Sequence, residues 1–199
     1  MSDCGCDFEA RDEEQRKVLR WLLAINAAMF VIEVVVGFLA QSTGVMADSL
    51  DMLADALVYS IGLYAIGRAA AAKHRAAFWS GIFQVILAAS ILFEVARRAL
   101  HGSEPNSGLM IAISVVALAA NATCLKLLSK HRDGGVHMRA SWIFSRSDVI
   151  ANAGVILAGV LVAVTSSRWP DLVVGTLIAA VVLHGGRAIL RESRTPLPG

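Results

Sequence analysis

GVMADSLDMLADALVYSIGLYAIG, residues 44–67, is apolar along most of its length, yet it carries Asp48, Asp51 and Asp55 and no Lys or Arg. A second stretch, SWIFSRSDVIANAGVILAGVLVAV over residues 141–164, sets Asp148 at the head of another apolar run. A carboxylate at the centre of a bilayer costs at least ~2.5 kcal/mol even on the lenient insertion scale. A membrane chain that keeps such groups without a cation at the same depth uses them, and the default use is a cation or proton path.

The rest of the chain supports a membrane setting. Its 199 residues are 56% hydrophobic and 17% charged, and the mean hydropathy is +0.62, too apolar for a soluble domain of this size. A hydrocarbon core of ~30 Å takes ~20 apolar residues per helix. Six such spans fit: Leu19–Ala40, Val45–Gly67, Ala76–Ala96, Leu109–Leu128, Ser141–Thr165 and Asp171–Leu190. The predicted fold class is an all-α polytopic membrane protein with six transmembrane helices. One membrane domain at 19–190 is expected, with a leader at 1–18 and a short tail at 191–199.

The head MSDCGCDFEARDEEQRK is acidic and polar where a signal peptide has a basic region and a short apolar core, so helix 1 is expected to be retained. Lys and Arg near the span ends set orientation. Fourteen fall on the side of the termini, among them Arg16, Lys17, Arg68, Lys73, Lys130, Arg139 and Arg191. Arg97, Arg98 and Arg168 fall on the other, with Arg146 just inside helix 5. Both termini are therefore expected in the cytoplasm, and the compact design suggests a bacterial inner (plasma) membrane. The same basic loops are accounted for by topology and anionic lipid, so nucleic acid is not an expected partner.

Asp48, Asp51 and Asp55 are spaced by three and four residues and share one stripe of helix 2. Like charges there repel, so the group either shares protons or takes up a cation. A divalent ion resolves the conflict, and its binding releases protons. Asp48, nearest the outer end, is also open to a capping or pairing role. On helix 5, Asp148 and Asn152 are four apart, one turn beyond Phe144, and bring oxygen ligands to meet those of helix 2. Oxygen-rich sites suit hard or borderline divalent ions, and zinc accepts Asp oxygens in a four-ligand set. Asp51, Asp55 and Asp148 supply three ligands; the fourth is Asn152, Asp48 or water.

ADSLDMLADAL followed by SRSDVIANAGVILAG resembles the cation diffusion facilitator family of proton-coupled divalent-metal exporters. Asn26 and Glu33 of helix 1, the GVMAD start of helix 2 and the WPD start of helix 6 also resemble that family's pattern. The resemblance implies a homodimeric antiporter whose site is two residues four apart on helix 2 and two on helix 5, each pair a His or Asp followed by Asp. Asp51 and Asp55 match the first pair and Asp148 the second member of the other. It implies a transported ion and no cofactor: zinc first, with cadmium, cobalt, nickel, iron or manganese behind it. Phe144 stands where the family commonly has a His, which removes an imidazole that helps select zinc or cadmium. The chain given stops at Gly199, soon after Arg191-Glu192-Ser193, where such proteins usually continue into a cytoplasmic metal-binding domain. Any dimer is then expected to be held by the membrane helices, and the family's secondary loop site is matched only by His74.

Other polar residues have plainer expectations. Cys4 and Cys6 form a weak C-x-C motif in an acidic head expected to be mobile, and Cys124 is expected to pack. Glu94 is expected to pair with Arg97 and Arg98, and Glu33 to serve proton transfer or pair with an Arg. Asn26, Gln84 and Asn121 are expected to bond between helices. His101, His131, His137 and His184 are isolated and are not expected to be ligands. No phosphate loop, H-E-x-x-H or nucleophile elbow is present, so an enzyme is not expected. An intramembrane aspartyl protease would not use an i, i+4 pair of aspartates. A cation channel without proton exchange is the other reading.

Overall fold

The computed structural model describes the backbone of residues 4–65, 70–129 and 136–192, and side chains over most of residues 13–191. Six helices follow one another among the described residues: α1 (Cys4–Leu39), α2 (Thr43–Ala65), α3 (Ala70–His101), α4 (Ser107–Ser129), α5 (Val136–Thr165) and α6 (Trp169–Glu192). Each contains its expected span to within two residues. The main difference is α1, whose 36 residues make a rod of about 54 Å, well beyond a bilayer core. Residues 4–18, expected as a mobile leader, continue the helix as its first turns.

Segments of α1, α4, α5 and α6 are long and apolar enough to cross a membrane. α2 is less apolar for a plain physical reason: its 23 residues carry Asp48, Asp51 and Asp55. What lets α2 keep them is position. It packs against α1, α3, α4, α5 and α6, and no other described helix touches all the rest. The most charged span is therefore the most shielded one, while α1 and α4, α4 and α5, and α3 and α6 pair around it.

The side-chain pattern is that of a protein whose solvent is lipid. Large apolar residues face outward, including Val31, Val35 and Phe38 of α1, Phe83 and Phe93 of α3, Leu157 of α5 and Leu177 and Val181 of α6. Asn26, Glu33, Asp48, Asp55, Gln84, Asn121, Asp148, Asn152 and Asp171 are buried. Polar groups of transmembrane helices face the bundle interior because hydrocarbon offers them no partner.

The end of α1 fixes the start of α2. Gln41 takes a left-handed backbone (φ 49°), and Ser42 N–H reaches back to Gly37 C=O at 3.1 Å while Gln41 N–H bonds Phe38 C=O at 3.2 Å, a closure of the Schellman type. The α1–α2 connection is thus only three residues long. Close helix approach is bought with small residues: a Cβ on Gly175 of α6 would stand 2.8 Å from the backbone of Thr43, and one on Gly81 of α3 would stand 3.1 Å from the Gly186 carbonyl of α6.

Candidate metal site

Asp51 and Asp55 of α2 and Asp148 of α5 meet where the two helices cross. Asp55 and Asp148 are buried and Asp51 is partly so, all three line one cavity, and Asp148 Oδ2 is buried without a hydrogen-bond partner among the described residues. Three carboxyl groups gathered at one depth repel one another when ionised, so the trio either shares protons or takes up a cation. Among the described residues no group of three His, Cys, Asp and Glu side chains is disposed to hold a metal ion as it stands, so a ligand set formed here requires the carboxyls to turn toward a common centre.

Beside the trio lies a cavity of ≈ 440 Å³ between α2, α3, α5 and α6. A water occupies about 30 Å³ of liquid volume, so the space admits an ion with part of its hydration shell. Its polar lining is Asp51, Asp55, Asp148 and Gln84, while the α6 wall, from Val174 to Ile189, is apolar apart from Gly185. An ion entering this space meets the three aspartates and one amide.

One turn along α2, Tyr59 is buried and its hydroxyl donates to Asp55 Oδ2 at 2.9 Å. The sequence reading passed over Tyr59, although its place four residues after Asp55 was the available signal. A hydrogen bond that orients a ligand is typically worth ~10–100-fold in metal affinity. Tyr59→Phe is accordingly expected to weaken apparent zinc affinity about tenfold with the maximal rate preserved; an unchanged concentration dependence would count against that orienting role.

The other predicted residues fall as follows. Asp48 and Asn152 lie one turn from the trio, toward the α1–α2 connection. Asn152 donates through Nδ2 to Asp48 Oδ1 at 3.2 Å and to the Asp148 carbonyl at 2.8 Å. Asp48 does not cap α2. That role belongs to Ser42, whose Oγ accepts from Val45 N–H at 3.1 Å, and to Asp171 at the start of α6. The Asp171 carboxylate accepts from Thr43 N–H at 2.7 Å, Gly44 N–H at 3.0 Å, Thr43 Oγ1 at 2.9 Å and Ser42 Oγ. Negative charge at a helix N-terminus is favourable, and here it also ties α6 to α2. The residues were visible in the sequence, but nothing local marks which acid closes which helix end.

Glu94 lies outside the site and pairs with Arg97 and Arg98 at 2.7 and 2.6 Å. Glu33 has no Arg partner among the described residues, and both its oxygens are buried without a hydrogen bond. Asn26 contacts Cys124 Sγ across α1 and α4 at 3.7 Å, as an intramembrane amide is expected to do. Asn121 departs from that expectation, since neither end of its amide has a partner among the described residues. Gln84 is buried at the cavity edge. His101 and His184 are exposed. The side chains of Phe144, Cys4, Cys6, His74, His131 and His137 lie outside the described residues.

A family model described as the cation efflux transmembrane domain matches residues 19–197. Among curated proteins the chain is similar to the cadmium, cobalt and zinc/H(+)-K(+) antiporter of Bacillus velezensis, 24% identical over 192 residues that cover 89% of this chain and 61% of that protein. It is 26% identical over 195 residues to the zinc transporter ZitB of Escherichia coli, covering 92% and 62%. It is 25% identical over 187 residues to the metal cation efflux system protein CzcD of Cupriavidus metallidurans, covering 88% and 59%. The chain thus spans about three-fifths of the length of these relatives.

Proposed function

This chain belongs to the cation efflux family, the cation diffusion facilitators of the sequence resemblance, and from that membership and the geometry at the α2–α5 crossing we propose that it exports a divalent metal cation in exchange for protons. Zinc is the first candidate cargo, with cadmium and cobalt next, because those ions appear in the names of the relatives. One relative's name also includes proton exchange. The chain is a transporter and not an enzyme, and its proposed substrates are the divalent ion and protons.

The observation that carries the proposal is the carboxyl trio itself. Asp51, Asp55 and Asp148 line a single cavity with few other polar groups. With protons aboard, the trio is close to neutral. A metal ion displaces the protons, since carboxylate ligands bind metals deprotonated. Three charges of −1 and one of +2 leave about −1, a far smaller burden in a low-dielectric site than the bare trio. The cycle follows: the cytoplasm-facing trio exchanges protons for the ion, α2 and α5 carry the site to the other face, and protons there displace the ion. Orientation with both termini in the cytoplasm of a bacterial inner membrane, and assembly as a homodimer, complete the proposal.

The test is zinc uptake into everted vesicles containing the wild-type protein. Uptake that accelerates when the vesicle interior is made acidic supports exchange. Uptake indifferent to the pH gradient would favour a conducting pore, and no uptake of zinc, cadmium or cobalt would overturn the reading.

Phe144 gives a sharper prediction about selectivity. It lies four residues before Asp148, where a His would add a nitrogen ligand preferred by zinc over harder ions. Phe144→His is expected to raise the zinc-over-manganese transport ratio on the order of tenfold, the equivalent of about 1.4 kcal/mol. An unchanged metal profile would separate position 144 from the site.

A further inference from the structure

Behind the trio, toward α1, lies a second set of oxygen ligands that the cavity does not reach. Glu33 is 1% exposed and Asn152 0%; both Glu33 oxygens and Asn152 Oδ1 are buried without a hydrogen-bond partner among the described residues. The Asn152 amide is oriented by its own donors. Its NH₂ group is spent on Asp48 Oδ1 and the Asp148 carbonyl, which leaves the carbonyl oxygen as an unused acceptor. Glu33 lies one turn before Gly37, whose Cα packs against Val45 and Met46 of the antiparallel α2, which sets Glu33 at the level of Asp48 to Asp51, and Arg97 and Arg98 are engaged with Glu94 instead.

Unused buried acceptors cost about 1–3 kcal/mol each, so this cluster is unfavourable as it stands. A cation removes the cost at every one of them together. We propose that Glu33, Asp48 and Asn152 form a second cation station, one helical turn from the aspartate trio, that takes a divalent ion of hard or borderline character through oxygen ligands alone.

The placement argues for a separate station rather than a fourth ligand of the first. Asp48 precedes Asp51 by three residues and Asn152 follows Asp148 by four, an axial offset of about 4.5–6 Å. Oxygens bind zinc at about 2.0–2.2 Å, so a centred ion does not serve both sets at once. The second set has two carboxylates where the first has three, and it binds more weakly. That is the order a path requires, because a station on the way out must release its ion. On the proposed orientation it lies on the exit side of the trio, and this inference rests on the transport reading.

The test counts bound ions by equilibrium dialysis of purified protein against Co²⁺, in a Cys4→Ser/Cys6→Ser background that removes thiolate binding at the head. Two ions per chain are expected in that background, one when Asp51, Asp55 and Asp148 are all changed to Asn, and none when Glu33→Gln is added. Glu33→Gln alone keeps the side-chain shape and is expected to lose one ion of two, a readout independent of the triple variant's folding. Two ions retained by Glu33→Gln, or one ion in the parent and in Glu33→Gln alike, would overturn the second station while leaving the trio intact. A parent that binds none would overturn both.

Discussion

In proteoliposomes, Asp55→Ala carries zinc at no more than about one-hundredth of the wild-type rate, a loss scaled from the ~10–100-fold that even outer partners of a metal site contribute. Asp55 is one of the three proposed ligands, shares a cavity wall with Asp148 and accepts from Tyr59, so its removal takes away a third of the proposed charge and the group that Tyr59 orients. Folding is expected to survive. The substitution relieves a buried carboxyl worth at least ~2.5 kcal/mol on the insertion scale and leaves the Tyr59 hydroxyl short of an acceptor, at about 1–3 kcal/mol. These terms nearly cancel, so the variant should elute as wild type by size exclusion. Wild-type flux from such a well-folded variant would remove Asp55 from the site.

Asp171→Ala is expected to act in the opposite way, through stability first. The carboxylate is fully buried and accepts from two backbone N–H groups and two hydroxyls at the start of α2. Without it the Thr43 and Gly44 N–H groups lose their acceptor inside the protein, and Ser42 and Thr43 lose the α6 partner that holds them. Breaking a buried charged network typically costs about 3–5 kcal/mol, enough to lower the thermal midpoint in detergent by several degrees. Asp171→Asn retains one acceptor oxygen and should fall between the two. An Asp171→Ala midpoint equal to wild type would mean that the α2–α6 clamp contributes nothing to the fold.

The six helices were legible because lipid imposes a length and a composition on each span, and α4 and α6 begin and end within two residues of the expected limits. The aspartate trio was legible for a related reason: charge is so costly in an apolar run that Asp51, Asp55 and Asp148 stand out without any knowledge of packing. What the sequence leaves open is which polar group meets which. Asp171 and Ser42 are separated by 129 positions, and their bond follows from how α6 docks on α2. Tyr59 reads as an aromatic among apolar neighbours until Asp55 is seen to accept a hydrogen bond from its hydroxyl. Glu33 reads equally as a pairing or a relay residue until its surroundings on α2 are known. The helical first turns of α1 were missed because charge marks that segment as non-membrane, and charge does not oppose helix.

The central claim is that protons and metal compete for the same three carboxyls. It is tested most directly by trapping a pH-sensitive dye inside proteoliposomes, adding zinc outside, and comparing wild type with Asp51→Ala/Asp55→Ala. Internal pH should rise with zinc entry in the wild type, in proportion to the metal carried, and neither change should occur in the double variant. Zinc entry at wild-type speed with no movement of internal pH would contradict the claim.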